Sequence, residues 1–257
     1  MIRRLAGTER WVLISQVEHA RLSGALAGAW GNESFPSLAP HAEMVAAVAC
    51  HDDGWSAWEI SPKVDTQTGR PLDFTETPLT DSLAIWRESI SRAEHFGPLA
   101  AYMVSGHFSA LLERFSGRWK SDVALERLAT GFIAEQANER ERWLAAWQRS
   151  TPQATGRIAA ADAVAWLQLF DAMSLWLCCA ERSESEEFRS PCGTAFTFQP
   201  VAGPYEVAVS PWPFRELRLA LEVVGRSIPA ARYANASDLV TSPAEPVTLN
   251  WSLIPGR

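Results

Sequence analysis

A single carboxylate sits inside the most apolar stretch of this chain. Asp171 falls within Trp166-Leu-Gln-Leu-Phe-Asp-Ala-Met-Ser-Leu-Trp176, with Gln168 and Ser174 three residues away on either side. An ionised carboxylate in that setting is expensive to desolvate unless it meets a metal, a cation or several hydrogen-bond donors. The fold must therefore bring Asp171 a polar partner from elsewhere in the chain. The presence of Gln168 and Asp171 also makes Ala163 to Ala180 unsuitable as a membrane span.

The 257 residues are 47% hydrophobic and 21% charged, enough to bury a sizeable core and too apolar for a disordered chain. The net charge of -7, with Lys and Arg scattered, argues against a phosphate-tracking nucleic-acid surface. Arg3 and Arg4 lead into Gly7, Thr8, Glu9 and Arg10 with no long apolar region, so neither a signal peptide nor a membrane partner is expected. Cys50, Cys178, Cys179 and Cys192 form no C-x-x-C pair, and a chain of this size needs no disulfide staples. A reduced, cytoplasmic protein is the expectation, and its hydrophobic fraction is compatible with a homodimer without requiring one.

Helical punctuation dominates the first two thirds. Ser15 and Glu18 make a capping box for a helix from Ser15 to Trp30, and Pro40 starts a second that carries Met44, Ala47, Val48 and His51 on one face. Ser61 to Thr80 reads as an exposed excursion. Asp81 is the expected N-cap of a helix through about Glu94, and Gly97-Pro98 precedes another that carries Leu99, Met103, His107, Leu111 and Leu112. Ser121 to Ser150 reads as a long amphipathic helix and Ile158 to Arg182 as the most apolar one, with Thr151 to Gly156 as connector. After Ser183 the period changes to two: Thr194 to Gln199, Tyr205 to Val209, Glu216 to Val223 and Val247 to Leu253 read as strands, with Leu217, Leu219, Leu221 and Val223 on one face. The expected fold class is mainly α, a helical bundle over residues 1–185, with a small antiparallel β appendage over 186–257 packed on it.

Only five histidines occur, and three lie in polar contexts on otherwise apolar helices. Gln16, His19 and Ser23 fall three and four apart, a polar stripe on one face of the first helix. His51-Asp52 ends the second helix and is followed by Asp53, Gly54, Trp55, Trp58 and Glu59. Imidazole and carboxylate together are what first-row divalent metals accept, and two His with two Asp leave positions for water and substrate. His41 reads as a surface residue and His95 as structural. Asp53 and Glu59 are candidates for positioning water or acting as general base. Trp55 and Trp58 either wall a pocket or pack in the core. Cys50 points about 100° away from His51 on its helix and is expected to be a buried hydrophobe. Phosphate-binding and dinucleotide-binding glycine loops are absent from the sequence.

The order His, His-Asp, Asp on successive helices resembles the HD superfamily of metal-dependent phosphohydrolases. That resemblance implies His19, His51, Asp52 and Asp171 as metal ligands, with His107 where two-metal members place extra histidines. The motifs Gln16-x-x-His19-Ala20-x-x-Ser23-Gly24, His51-Asp52-x-Gly54-Trp55-x-x-Trp58-Glu59, Ser105-x-His107, Asp171-x-x-Ser174-Leu175, Pro211-Trp212-Pro213-Phe214 and Trp251-x-Leu253-x-Pro255 together resemble the bacterial domain of unknown function family 3891 over nearly the whole chain.

These resemblances imply hydrolysis of a small phosphoester or nucleotide, with a divalent ion (Mn, Fe, Co, Ni, Zn or Mg, one or two) as cofactor and a small molecule as substrate. Asp53, Glu59 and His107 are the implied proton-handling residues. The basic residue that holds phosphate in the larger superfamily is not singled out, with Arg21, Lys63 and Arg70 all near in sequence. Two alternatives stand beside this reading: an HD-type di-iron oxygenase, and a binding module with a structural metal.

Overall fold

The hydroxyl of Ser15 accepts the N–H of Glu18 and starts the first helix where the capping signal puts it. A computed structural model describes residues 1–151, 157–179, 184–201, 203 and 205–256. Its first elements are not helical: strands β1 (Ile2–Ala6) and β2 (Arg10–Ile14) form a hairpin ahead of α1 (Gln16–Ala29). Next come α2 (His41–Cys50), entered through Pro40, the short α3 (Trp55–Glu59), and α4 (Leu79–Ala93). Asp81 lies in the first turn of α4 and pairs with Lys63, while Pro78 occupies the cap position. Pro98 opens α5 (Pro98–Arg114), and the carboxylate of Asp122 caps α6 (Val123–Ser150) through the N–H groups of Ala124 and Leu125. Helix α7 (Arg157–Cys178) follows. The expected connector at 152–156 and the expected helix end at 180–182 lie outside the described residues.

Among the described residues five more strands and one helix follow: β3 (Glu186–Arg189), β4 (Ala195–Pro200), β5 (Glu206–Ser210), β6 (Leu219–Pro229), α8 (Ala236–Thr241) and β7 (Glu245–Pro255). All seven strands join one sheet in the order β1-β2-β6-β7-β5-β4-β3. This corrects the expectation of a mainly α bundle with a small antiparallel appendage. The sheet recruits the N-terminal hairpin, with Ile14 opposite Gly225, and it is mixed, because β5 and β7 run parallel with Val207 opposite Leu253. Period-two reading does find Leu221, Val223, Leu249, Trp251 and Leu253 on the buried face. Leu217, by contrast, precedes β6 and is 82% exposed.

Sheet and helices share a core, and Trp30 shows why. Just past α1, its indole is fully buried and makes edge contacts with Phe35, Trp166, Phe170, Phe196 and Phe214 at centroid distances of 5.2–5.9 Å. Phe170 comes from α7 and Phe196 from β4, so one side chain ties three parts of the sequence together. Aromatic burial of this kind contributes both apolar area and edge-to-face attraction. Asp171 directly follows Phe170, and this packing fixes the azimuth of α7 that turns Asp171 toward α1. Among the described residues no helix is long and apolar enough to cross a membrane.

Candidate metal centre

Helix α1 and the end of α2 approach each other closely enough to bring two imidazoles together. A Cβ at Gly24 would stand 2.5 Å from Cβ of Ala49, so glycine is what lets these helices touch. The turn after α2 is seated on α4 in the same way. Gly54 donates its N–H to Ser89 Oγ at 3.0 Å, and a Cβ there would meet the carbonyl oxygen of Ile85 at 2.2 Å. With the helices so placed, the rings of His19 and His51 lie 5.4 Å apart, and those of His51 and His107 5.3 Å apart.

Asp171 reaches this centre from α7. Its Oδ1 lies 2.9 Å from His19 Nε2 and 3.4 Å from His51 Nε2, and one ligand atom from each of His19, His51 and Asp171 falls within 4.8 Å of the others. Asp52 Oδ2 is 3.5 Å from His51 Nε2 and 3.9 Å from His19 Nε2. Both histidines are held from behind. His51 Nδ1 contacts the Val48 carbonyl at 2.7 Å, so that nitrogen carries the donated proton, and His19 Nδ1 lies 2.8 Å from Ser174 Oγ. Ser174 Oγ is itself 2.7 Å from Ser23 Oγ, whose hydroxyl donates to the His19 carbonyl. The polar stripe on α1 and the polar residues around Asp171 are two halves of one network.

These groups fit a divalent ion, and the sign is His51 Nε2. It is buried, has no hydrogen-bond partner, and faces two carboxylates. An imidazole whose Nδ1–H is fixed on a carbonyl presents its Nε2 lone pair outward, the arrangement seen in metal-bound histidines. Without an ion the charges compensate one another. Burial alone would depress His51, but Asp52 and Asp171 push it up to about 9. Burial raises Asp52 against the pull of His51 and His19. For Asp171 the imidazoles of His19 and His51 overcome burial and hold the carboxyl well below the usual range. His107 is pushed down to about 4, chiefly by burial.

A cleft of about 430 Å³ opens onto this centre, lined at its base by Gln16, His19, Asp52, His107 and Asp171. Trp55 belongs to its wall, while Trp58 packs behind Trp55 at 5.4 Å. Asp53 and Glu59 do not reach the cleft lining. Asp53 is raised by its partial burial against the charges of Arg92 and Arg21. Glu59 Oε1 accepts the Gln16 N–H at 2.8 Å and pairs with the Met1 amine at 2.8 Å. His41 lies beside Arg215, and His95 is exposed in the turn after α4. Burial pushes Cys50 up to about 12, in keeping with an inert thiol.

The basic residues near the motifs in sequence are elsewhere: Arg21 pairs with Glu18, Lys63 with Asp81, and Arg70 is exposed off the cleft. The cations that do line the cleft are Arg114 and Arg118, which sequence reading passed over. Arg114 follows His107 by seven residues on α5, two turns along nearly the same face, and that spacing was the available signal.

The family model described as "Protein of unknown function (DUF3891)" matches residues 1–230, and the chain belongs to that family. No curated protein and no solved structure matches it.

Proposed function

We propose that this protein is a metal-dependent hydrolase, a phosphohydrolase acting on a small phosphoester, with His19, His51, Asp52 and Asp171 as the ligands. The observation that carries the reading is Nε2 of His51, buried without a hydrogen-bond partner beside Asp52 and Asp171, two carboxylates that line the cleft. A divalent ion, when bound, would lower the pKa of water and stabilise charge on a phosphoryl oxygen.

The chain's own groups supply the rest. His107 lines the cleft and Asp53 and Glu59 do not, which makes its imidazole the better placed to accept a proton from attacking water. Arg114 and Arg118 favour an anionic substrate at the cleft mouth. Apolar walls exclude bulk water and strengthen each of these interactions.

Elemental mass spectrometry on untagged protein purified without chelators, wild type beside His51→Ala, tests the site, and a phosphoester panel tests the activity. Near-stoichiometric metal that disappears in the variant, together with turnover, supports the proposal. Two irons per chain with an oxygen-dependent optical change would favour the oxygenase instead. No metal after reconstitution and no turnover would leave a binding module.

A further inference from the structure

The cleft changes character along its length. At the inner end, two buried polar atoms have no hydrogen-bond partner, Oε1 of Gln16 and Nδ1 of His107, and both side chains belong to the lining. Buried polar groups are rarely left unsatisfied, and because Gln16 Oε1 can only accept, the pair calls for a ligand group with a hydrogen to donate, such as a P–OH. The middle is apolar, with the Trp86 and Phe108 rings stacked at 5.1 Å and Leu111 and Phe115 beyond them.

At the outer end stand two cations that behave differently. Arg118 donates to the Thr75 carbonyl at 3.3 Å and lies 4.8 Å over the Phe115 ring, so its guanidinium is held by the cleft wall itself. Arg114 has neither a hydrogen bond nor an ion pair with any described residue. Seven residues of α5 separate it from His107, or about 10 Å of helix rise. A guanidinium that lines a cleft without an ion-pair partner among the described residues favours an anion there.

We propose that the cleft takes an elongated amphipathic dianion. Its singly protonated phosphoryl head donates its P–OH to Gln16 Oε1 and rests against the His107 ring, its hydrocarbon or aromatic middle packs on Phe108, Leu111 and Phe115, and its second anionic group pairs with Arg114. This deepens the function proposed above by naming the substrate class, and it rests on that reading only for the fate of the head group. A carboxylate and a phosphate share the chemistry of the tail, and a forked guanidinium accepts either.

Phosphonates are not hydrolysed, so they separate recognition from turnover. Titration of the protein as purified with 6-phosphonohexanoate, hexane-1,6-diyl bisphosphonate and hexylphosphonate is read by calorimetry and by fluorescence of Trp86 and Trp119 in the cleft. At least one dianion should bind roughly tenfold more tightly than hexylphosphonate, and the tighter of the two identifies the tail. Arg114→Gln should remove that difference and leave hexylphosphonate unchanged, and Phe115→Ser should weaken all three probes. Equal affinity of all three, or a difference that survives Arg114→Gln, overturns the proposal. Tight dianion binding with no hydrolysis of any phosphoester would instead overturn the hydrolase and leave this inference standing.

Discussion

Ser174 Oγ lies 2.8 Å from Nδ1 of His19, on the side of the ring opposite Asp171. The contact fixes where the imidazole points. When Nε2 is a metal ligand, Nδ1 carries the proton and donates to the hydroxyl, whose own hydrogen has Ser23 Oγ at 2.7 Å or the Asp171 carbonyl at 3.0 Å to go to. Ser174→Ala deletes the acceptor and frees the ring to rotate. Such outer contacts are worth about 10–100-fold in metal affinity. Competition with a chromophoric chelator should show a loss of that size, and an unchanged affinity would remove Ser174 from the site.

Metal binding should stabilise the fold measurably. An ion at 100 times its dissociation constant adds about 2.7 kcal/mol when the unfolded chain does not bind it. For a chain of this length, that corresponds to a rise of about 5–10 °C in Tm. Calorimetry with and without manganese or zinc reads it. Asp171→Asn keeps the side-chain shape and a hydrogen-bond acceptor but removes the charge, so it should abolish the rise. A rise that persists in Asp171→Asn would place the ion elsewhere.

The helices and the centre were legible for the same physical reason. A helix buries one face, so Gln16, His19 and Ser23, or Gln168, Asp171 and Ser174, stand out as polar residues on apolar segments. Caps and prolines then mark the ends. The hairpin of β1 and β2 was not legible, because five-residue strands that carry Arg3, Arg4 and Arg10 show little alternation. Nor does any local pattern announce that Ile14 pairs with Gly225 or that β5 runs parallel to β7. Strand pairing is decided by the core that Trp30 organises between α7 and β4. Arg114 escaped for a different reason: a cation in the last turn of a helix already has an explanation in the helix dipole, and only the cleft gives it a second.

The metal-free protein should lose stability as pH rises from about 6.5 to about 9. His51 is pushed up to about 9 when folded, from an ordinary value near 6.5. A group whose folded pKa is raised contributes its full stability below the unfolded value and loses it as pH climbs through the folded one. His107, pushed down to about 4, opposes this only near its unfolded value of about 6.5, so above about pH 7.5 the slope follows His51. The loss is at most about 3 kcal/mol. Urea unfolding of chelated protein at pH 6.5 and 9 measures it, and His51→Gln should flatten it. Because an ion displaces the same proton, adding metal should reverse the slope. A flat profile for metal-free wild type would mean that His51 is not charged beside Asp171.

Gly54 should tolerate no side chain, although no proposed ligand atom belongs to it. A Cβ there would meet the Ile85 carbonyl oxygen at 2.2 Å and the Ser89 nitrogen at 2.5 Å, both backbone atoms of α4 that cannot rotate away. Gly54→Ala must therefore push the turn off α4, at a cost on the order of 1–3 kcal/mol for overpacking. That turn carries His51 and Asp52, so metal affinity should fall together with stability. Gly117→Ala is the control, since nothing lies within 4 Å of its Cβ position. Thermal unfolding and chelator competition on the two variants read both effects. If Gly54→Ala lost stability but bound metal as wild type does, the turn would be independent of its seat on α4, and the ligands would owe their placement to α1 and α2 alone.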